Sequence, residues 1–151
     1  MTDVMTADKQ PAFVGVRGTI RCDETMSNHT SWKVGGPARY FFEPADRKDL
    51  SAFLKGLDPG VPVLWLGLGS NLLVRDGGFD GAVIAAHRGL RELRDLGEGR
   101  FVVETGVSCA RFSRFSAKLG WSGGEFLAGV PGTMGGALAM NAGAFGSETW
   151  S

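Results

Sequence analysis

The chain has 151 residues, 43% of them hydrophobic, and its 16 Lys and Arg balance 16 Asp and Glu to a formal net charge of zero. Scattered cations on a neutral chain leave no electrostatic footprint for nucleic acid or an anionic membrane, and the apolar runs fall far short of the ~20 residues that span a bilayer. The first residues, MTDVMTADKQ, lack the basic start and apolar centre of a secretory signal, which points to the cytoplasm, and Cys22, Cys109, His29 and His87 show no disulfide or metal-ligand spacing.

Residues 1–27, with Pro11, Gly15 and Gly18 and no sustained period, read as a polar leader. After a hydroxyl-rich turn and the Gly35-Gly36-Pro37 hinge, Ala38 to Phe42 suits a strand. Pro44 and Asp46 can open a helix. Its Leu50, Phe53, Leu54 and Leu57 fall at i, i+3, i+4 and i+7, an apolar stripe for packing on a sheet, and Asp58-Pro59-Gly60 stops it. Val61 to Leu66 reads as a buried strand, followed by the turn Gly67-Leu68-Gly69-Ser70-Asn71 and a second strand-like run, Leu72 to Val74. Asp76-Gly77-Gly78 is a turn, Gly81 to Ala86 a strand, RGLRELRD a solvated connection, and Phe101 to Glu104 another strand. Ser108 can cap a helix whose Phe112, Phe115 and Leu119 face a core and which Gly120 ends. This order predicts an α+β fold rather than a doubly wound parallel sheet.

Two glycine loops stand out. The stretch GEFLAGVPGTMGGALAMNAGAFG, from Gly124 to Gly146, is glycine-dense yet apolar, unlike a flexible linker. Good helix formers follow Gly135 and Gly136, so it predicts a loop feeding a helix N-terminus, where amides favour an anion. With no Lys or Arg in the stretch, such an anion would be held by amides and the Thr133 hydroxyl, and the Gly-Lys-Ser/Thr ending of a Walker loop is missing. The earlier loop, Gly67 to Asn71, could cradle a pyrophosphate. Leu72 replaces the third glycine of a dinucleotide fingerprint and the run after it is strand-like, which excludes that motif. On residues alone, each loop fits a tight packed turn as well as a phosphate cradle.

Three blocks taken together, HTSWKVGGPA (29–38), GLGSNLLVRDGGFDGAVI (67–84) and GGEFLAGVPGTMGGALAMNAGAFG (123–146), resemble the UDP-N-acetylenolpyruvoylglucosamine reductases. These are flavoenzymes of bacterial peptidoglycan precursor synthesis, and so of cell-wall biogenesis, cell shape and division. The resemblance implies the FAD-binding fold of the vanillyl-alcohol-oxidase type, two α+β subdomains with FAD in the crevice between them. Residues 28–90 would form the first, 91–151 the start of an incomplete second, and the substrate-binding domain would be absent. It further implies that Gly67, Gly69, Ser70, Asn71 and Leu72 meet the FAD pyrophosphate, and that Gly129, Pro131, Gly132, Thr133, Gly135 and Gly136 line the cofactor from the second subdomain. Asn141, Gly143 and Gly146 would close the site.

The implied chemistry is hydride transfer from NADPH through the flavin to the enolpyruvyl double bond of a UDP-sugar. The family uses an arginine within Tyr-Arg-x-Ser, a serine proton donor and a glutamate. The only tyrosine here is Tyr40, followed by Phe41, so all three are expected beyond Ser151 and the chain is not expected to turn over alone. Glu125 reads as a backbone partner rather than a base, and Lys33 as solvated. Departures from the family pattern are Ser31, Trp32, Gly124, Val130, Met134 and Phe145, the last removing a tyrosine hydroxyl. Alternative expectations are another FAD-dependent oxidase of the same fold and a non-catalytic flavin-binding fragment.

Overall fold

A computed structural model describes residues 13–150. Strands β1 (Thr19–Thr25), β2 (Pro37–Glu43), β3 (Val63–Leu66) and β4 (Phe79–Ala85) form one sheet in the order β1-β2-β4-β3. β1 is antiparallel to β2, while β2 and β3 both run parallel to β4. Parallel neighbours need a crossover connection. Helix α1 (Arg47–Gly56) lies in the connection that takes the chain from β2 to β3.

Asp46 is the N-cap of α1, its carboxylate accepting from the Asp49 amide at 2.9 Å. The predicted stripe is narrower than its spacing suggested. Leu50, Phe53 and Leu57 join the core with Phe42, Ala82 and Ile84, where Phe42 and Phe53 stack at 4.1 Å, but Leu54 is exposed. On the opposite face, Met26, Phe41, Leu66, Val74 and Val83 form a second cluster.

The leader expectation fails where it reaches β1: Ile20 lies opposite Phe42 and Cys22 opposite Tyr40, and the polar residues there mark an edge strand rather than loose chain. Residues 1–12 of that leader lie outside the described residues. Leu72 to Val74 is not a strand either. Its neighbours bond loop to loop, with the Gly36 amide donating to the Arg75 carbonyl at 3.0 Å, and Val74 packs into the core.

The charged RGLRELRD stretch holds the end of a short helix, α2 (Ala86–Gly89), and the start of a hairpin, β5 (Leu93–Gly97) with β6 (Arg100–Val103). Glu98 and Gly99 have φ of +55° and +73°, the mirror-image turn whose twist matches paired strands. Helix α3 (Cys109–Lys118) is capped by Ser108, and Gly120, at φ +81°, lies just beyond it. Phe112 and Phe115 meet Phe101 edge-on at 5.4 and 6.1 Å. Leu119 is exposed, contrary to expectation, because α3 buries Cys109, Ser113 and Ser116 instead. A 3-10 turn (Glu125–Gly129), helix α4 (Met134–Met140) and the small hairpin β7 (Gly143–Ala144) with β8 (Ser147–Glu148) complete an α+β fold. A third cluster, Cys109, Leu127, Val130 and Ala137, holds this part together.

Candidate functional site

β3 ends at Leu66 on the edge of the sheet, and the chain turns there through Gly67 to Asn71. Gly69 has φ +69°, and a Cβ on it would overlap the His29 carbonyl oxygen, so no other residue fits without moving the backbone. The segment behind it braces this turn. The Ser31 amide donates to the Gly69 carbonyl at 2.9 Å, and buried Thr30 fixes its own loop by donating to the Val34 carbonyl at 3.0 Å. Among the described residues, the amides of Leu68, Gly69, Ser70, Asn71 and Leu72 have no protein acceptor. A run of successive amides without a protein acceptor is free to bind an anion or water.

The second loop behaves differently. Thr133 N-caps α4, its hydroxyl accepting from the Gly136 amide at 3.3 Å. The Met134 and Gly135 amides donate to the Val107 and Thr105 carbonyls at 2.8 and 3.0 Å, and the Gly132 amide to the Val130 carbonyl at 2.9 Å. The expectation that this helix start holds the anion is therefore corrected: residues 105–108 run alongside and occupy its donors. The glycines instead allow close approach. A Cβ on Gly135 would come within 2.8 Å of Thr105 Cβ, and one on Gly67 within 2.6 Å of Thr133 Oγ1, so Gly67 is where the two loops touch.

Between the loops lies a cavity of about 500 Å³ whose lining includes Leu64, Gly67, Gly69, Ser70, Asn71 and Leu72 on one side and Pro131, Gly132, Thr133, Gly136 and Met140 on the other. It runs into a second of about 630 Å³ through the shared wall of Trp65, Leu66, Gly67 and Thr133. Leu50, Val102, Val103 and Gly135 also line the second cavity. Its one cation, Arg47, is held by Glu104 at 3.1 Å and Glu92 at 3.2 Å. The structure thus gathers Gly67, Gly69, Ser70, Asn71, Leu72, Pro131, Gly132, Thr133, Gly135 and Gly136 around one groove.

Gly129, Asn141, Gly143 and Gly146 line neither cavity. A Cβ on Gly129 would meet the Phe145 ring at 2.5 Å, and Gly143 sits in β7 against Ser147 and Glu148. Asn141 ends α4 at φ +48° and accepts from the Trp150 amide at 2.9 Å, while Gly146, at φ +82°, turns the β7–β8 hairpin. Their nearest contacts are structural. Sequence reasoning missed Trp65, Arg47 and Glu104; Trp65 sat inside a strand read as buried, and only the sheet order puts that strand on an edge.

Behind the first loop, a hollow of about 410 Å³ is lined by His29, Ser31, Lys33, His87 and Arg88 among others. His29 bonds Glu24 at 2.6 Å and stacks on Phe41 at 4.1 Å. Burial, reinforced by Arg88, holds His87 below the ordinary histidine pKa, and its Nδ1 is buried without a hydrogen-bond partner among the described residues. Burial likewise pushes the Cys109 thiol up, so it stays protonated and inert. Glu125 accepts from the Gly123 amide at 2.6 Å, the backbone role expected of it.

The family described as "FAD binding domain" matches residues 38–151. The UDP-N-acetylenolpyruvoylglucosamine reductase of Methylococcus capsulatus is 55% identical over 135 residues, 89% of this chain and 44% of that protein. The protein of the same name from Nitrosococcus oceani is 57% identical over 135 residues, 89% of this chain and 45% of its own length. Among solved structures, the crystal structure of UDP-N-acetylenolpyruvylglucosamine reductase from Thermus caldophilus superposes with a TM-score of 0.63 at 30% identity, covering 87% of this chain and 45% of that one. The chain thus spans a little under half the length of the curated relatives it matches.

Proposed function

The chain belongs to the family of FAD binding domains, and we propose that it is the FAD-holding part of a cytoplasmic UDP-N-acetylenolpyruvoylglucosamine reductase, which uses NADPH to reduce a UDP-sugar enolpyruvate during peptidoglycan precursor synthesis. The observation that carries the reading is the run of unpaired amides from Leu68 to Leu72, opening into a groove walled by the second glycine loop. FAD is a rod of two ring systems joined by a pyrophosphate. An apolar groove with neutral donors along one wall matches that distribution of charge, and the shortage of lysine and arginine there suits a diphosphate held by dipoles rather than ion pairs.

In this reading Gly67, Gly69, Ser70, Asn71 and Leu72 hold the pyrophosphate, Gly69 because only glycine takes its conformation against the His29 carbonyl. Pro131, Gly132, Thr133, Gly135 and Gly136 form the facing wall, with Thr133 fixing the start of α4. Gly129, Asn141, Gly143 and Gly146 act one layer back, shaping the hairpin and the end of α4 behind that wall. Bound FAD would supply the hydride-transfer chemistry; this chain would bind and orient it. Among the described residues no helix is long and apolar enough to cross a membrane.

Titrating the chain with FAD by isothermal calorimetry tests the proposal. One FAD per chain, with binding that survives 0.5 M salt because amides rather than ion pairs hold the anion, is the expected result. A folded chain that binds no FAD would overturn it.

A further inference from the structure

The hollow behind the first loop is lined by charge where the groove is not. Lys33, Arg88, His29 and His87 form its wall with the hydroxyl residues Thr30 and Ser31, and no carboxylate does. Glu24 and Glu43, which pair with His29 at 2.6 Å and with Arg88 Nε at 3.1 Å, lie outside that wall. Among the described residues the Lys33 ammonium has neither an ion pair nor a hydrogen bond, and the terminal nitrogens of Arg88 have no protein acceptor. His87 Nδ1 is buried and unpaired, a polar atom left over once the fold has made its own bonds. These groups sit on fixed chain. The Lys33 amide donates to the Thr30 carbonyl at 3.2 Å, Thr30 is 2% exposed, and His87 and Arg88 follow β4 directly in α2. Cations gathered on fixed elements repel one another unless a counter-charge sits among them.

We propose that this hollow is a second anion site, taking a phosphate group, either the free ion or the monoester of a small molecule. A dianion matches the two permanent cations, Lys33 and Arg88, better than a monocarboxylate does. Its tetrahedral oxygens can meet donors arriving from both the loop and α2. The volume of about 410 Å³ lies within the roughly 300–1,000 Å³ of small-molecule sites, which leaves room for what the phosphate is esterified to. Leu68 lines the hollow and the groove alike, so the two sites are neighbours. They hold anions by different physics, dipoles in the groove and charges in the hollow. The inference stands whether or not the groove holds FAD.

Titrating the isotope-labelled 151-residue chain with inorganic phosphate and with ribose 5-phosphate, followed by amide chemical shifts at low salt, tests the site. Saturable shifts at residues 29–33, 68, 87 and 88 are expected, with affinity falling about threefold or more in 0.5 M sodium chloride. Lys33→Met should weaken binding about fivefold, and Lys55→Met, which removes the same charge from the last turn of α1, by less than about twofold. Lys33 is exposed, so the variant should keep the wild-type spectrum; if it does not, the wild-type shift map decides. Ribose 5-phosphate binding at least as tightly as the free ion assigns an ester, and weaker binding assigns the ion. Shifts that never saturate, that spread to Arg111 and Lys118 on α3, or that weaken equally in the two lysine variants overturn the site. A chain that binds FAD but shows no saturable phosphate shift in the hollow overturns this inference alone. One that binds phosphate there and no FAD overturns only the reading of the groove.

Discussion

Asp49 is a buried carboxylate whose work is structural, and it shows how one residue joins three segments. It is 1% exposed, and its oxygens accept from the amides of Arg17 at 2.6 Å, Ala45 at 2.7 Å and Gly18 at 2.9 Å, fastening α1 to the chain entering β1. Burial alone would push its pKa up, but the three amides outweigh burial and hold it below the ordinary aspartate value. A depressed folded pKa contributes stability that is present above the unfolded value, near 3.9, and is lost as pH falls through the folded one. Asp49→Asn keeps the shape but makes one acceptor a donor facing an amide. It should destabilise the chain by roughly 2–3 kcal/mol at pH 7, and by less than that below pH 4, where wild type loses the same contribution. Urea unfolding of both proteins at pH 7 and pH 3.5 checks this; an equal difference at both pH values would show that the charge of Asp49 does not matter.

At the scale of elements, what was legible depended on whether a signal was local. Caps are local: Asp46 and Ser108 announced α1 and α3, and both accept the expected amides. Which flank of a helix is covered is not, and so Leu54 and Leu119 were misplaced. The β5–β6 hairpin had a local signal in Gly97-Glu98-Gly99, masked by the charges of RGLRELRD, since a ribbon exposed on one side tolerates them. β1 could not be read at all, because its partner β2 is what makes it a strand.

The two glycine loops look alike in sequence, but the amides of the second are paired and those of the first are not. What separates them is whether another strand of chain occupies their amides, and that is a tertiary fact. The first loop can be tested at Gly69. Ala there would take a left-handed backbone, costing roughly 1–2 kcal/mol, and would push against the His29 carbonyl. FAD affinity should fall at least tenfold as the amides are turned away from the groove. Gly77→Ala, where an added Cβ meets nothing within 4 Å, should bind FAD like wild type. Calorimetric titration of the two variants side by side measures the difference, and equal affinities would place the pyrophosphate elsewhere.

Across the whole molecule, the groove lies between parts of unequal strength. The four-stranded sheet has a packed cluster on each face, seven buried residues on one and six on the other, whereas α3, α4 and the turn before α4 share a cluster of four. Between the parts run the exposed pairing of Arg47 with Glu92, a second pairing of Arg47 with the largely buried Glu104, the Gly106 amide donating to the Leu90 carbonyl, and the contact of Gly67 with Thr133. The exposed Arg47–Glu92 pair contributes roughly 0–1 kcal/mol, and with the smaller cluster α3 and α4 should open at lower free energy than β2 and β4. A ligand that touches both walls adds free energy to the closed state alone. At a hundredfold excess over its Kd, FAD should stabilise the native chain by about 2.7 kcal/mol.

Amide hydrogen exchange can place that increment. Without FAD, the amides of Leu68 to Leu72 should exchange fastest within the groove, since no protein carbonyl protects them, and those of α4 faster than those of β4. With FAD, both sets should slow, the first because the pyrophosphate accepts from it and the second because closing the groove ties the weaker part to the stronger. Protection that spread evenly over the sheet and left residues 68–72 unchanged would mean that the ligand binds without using the amides of that loop.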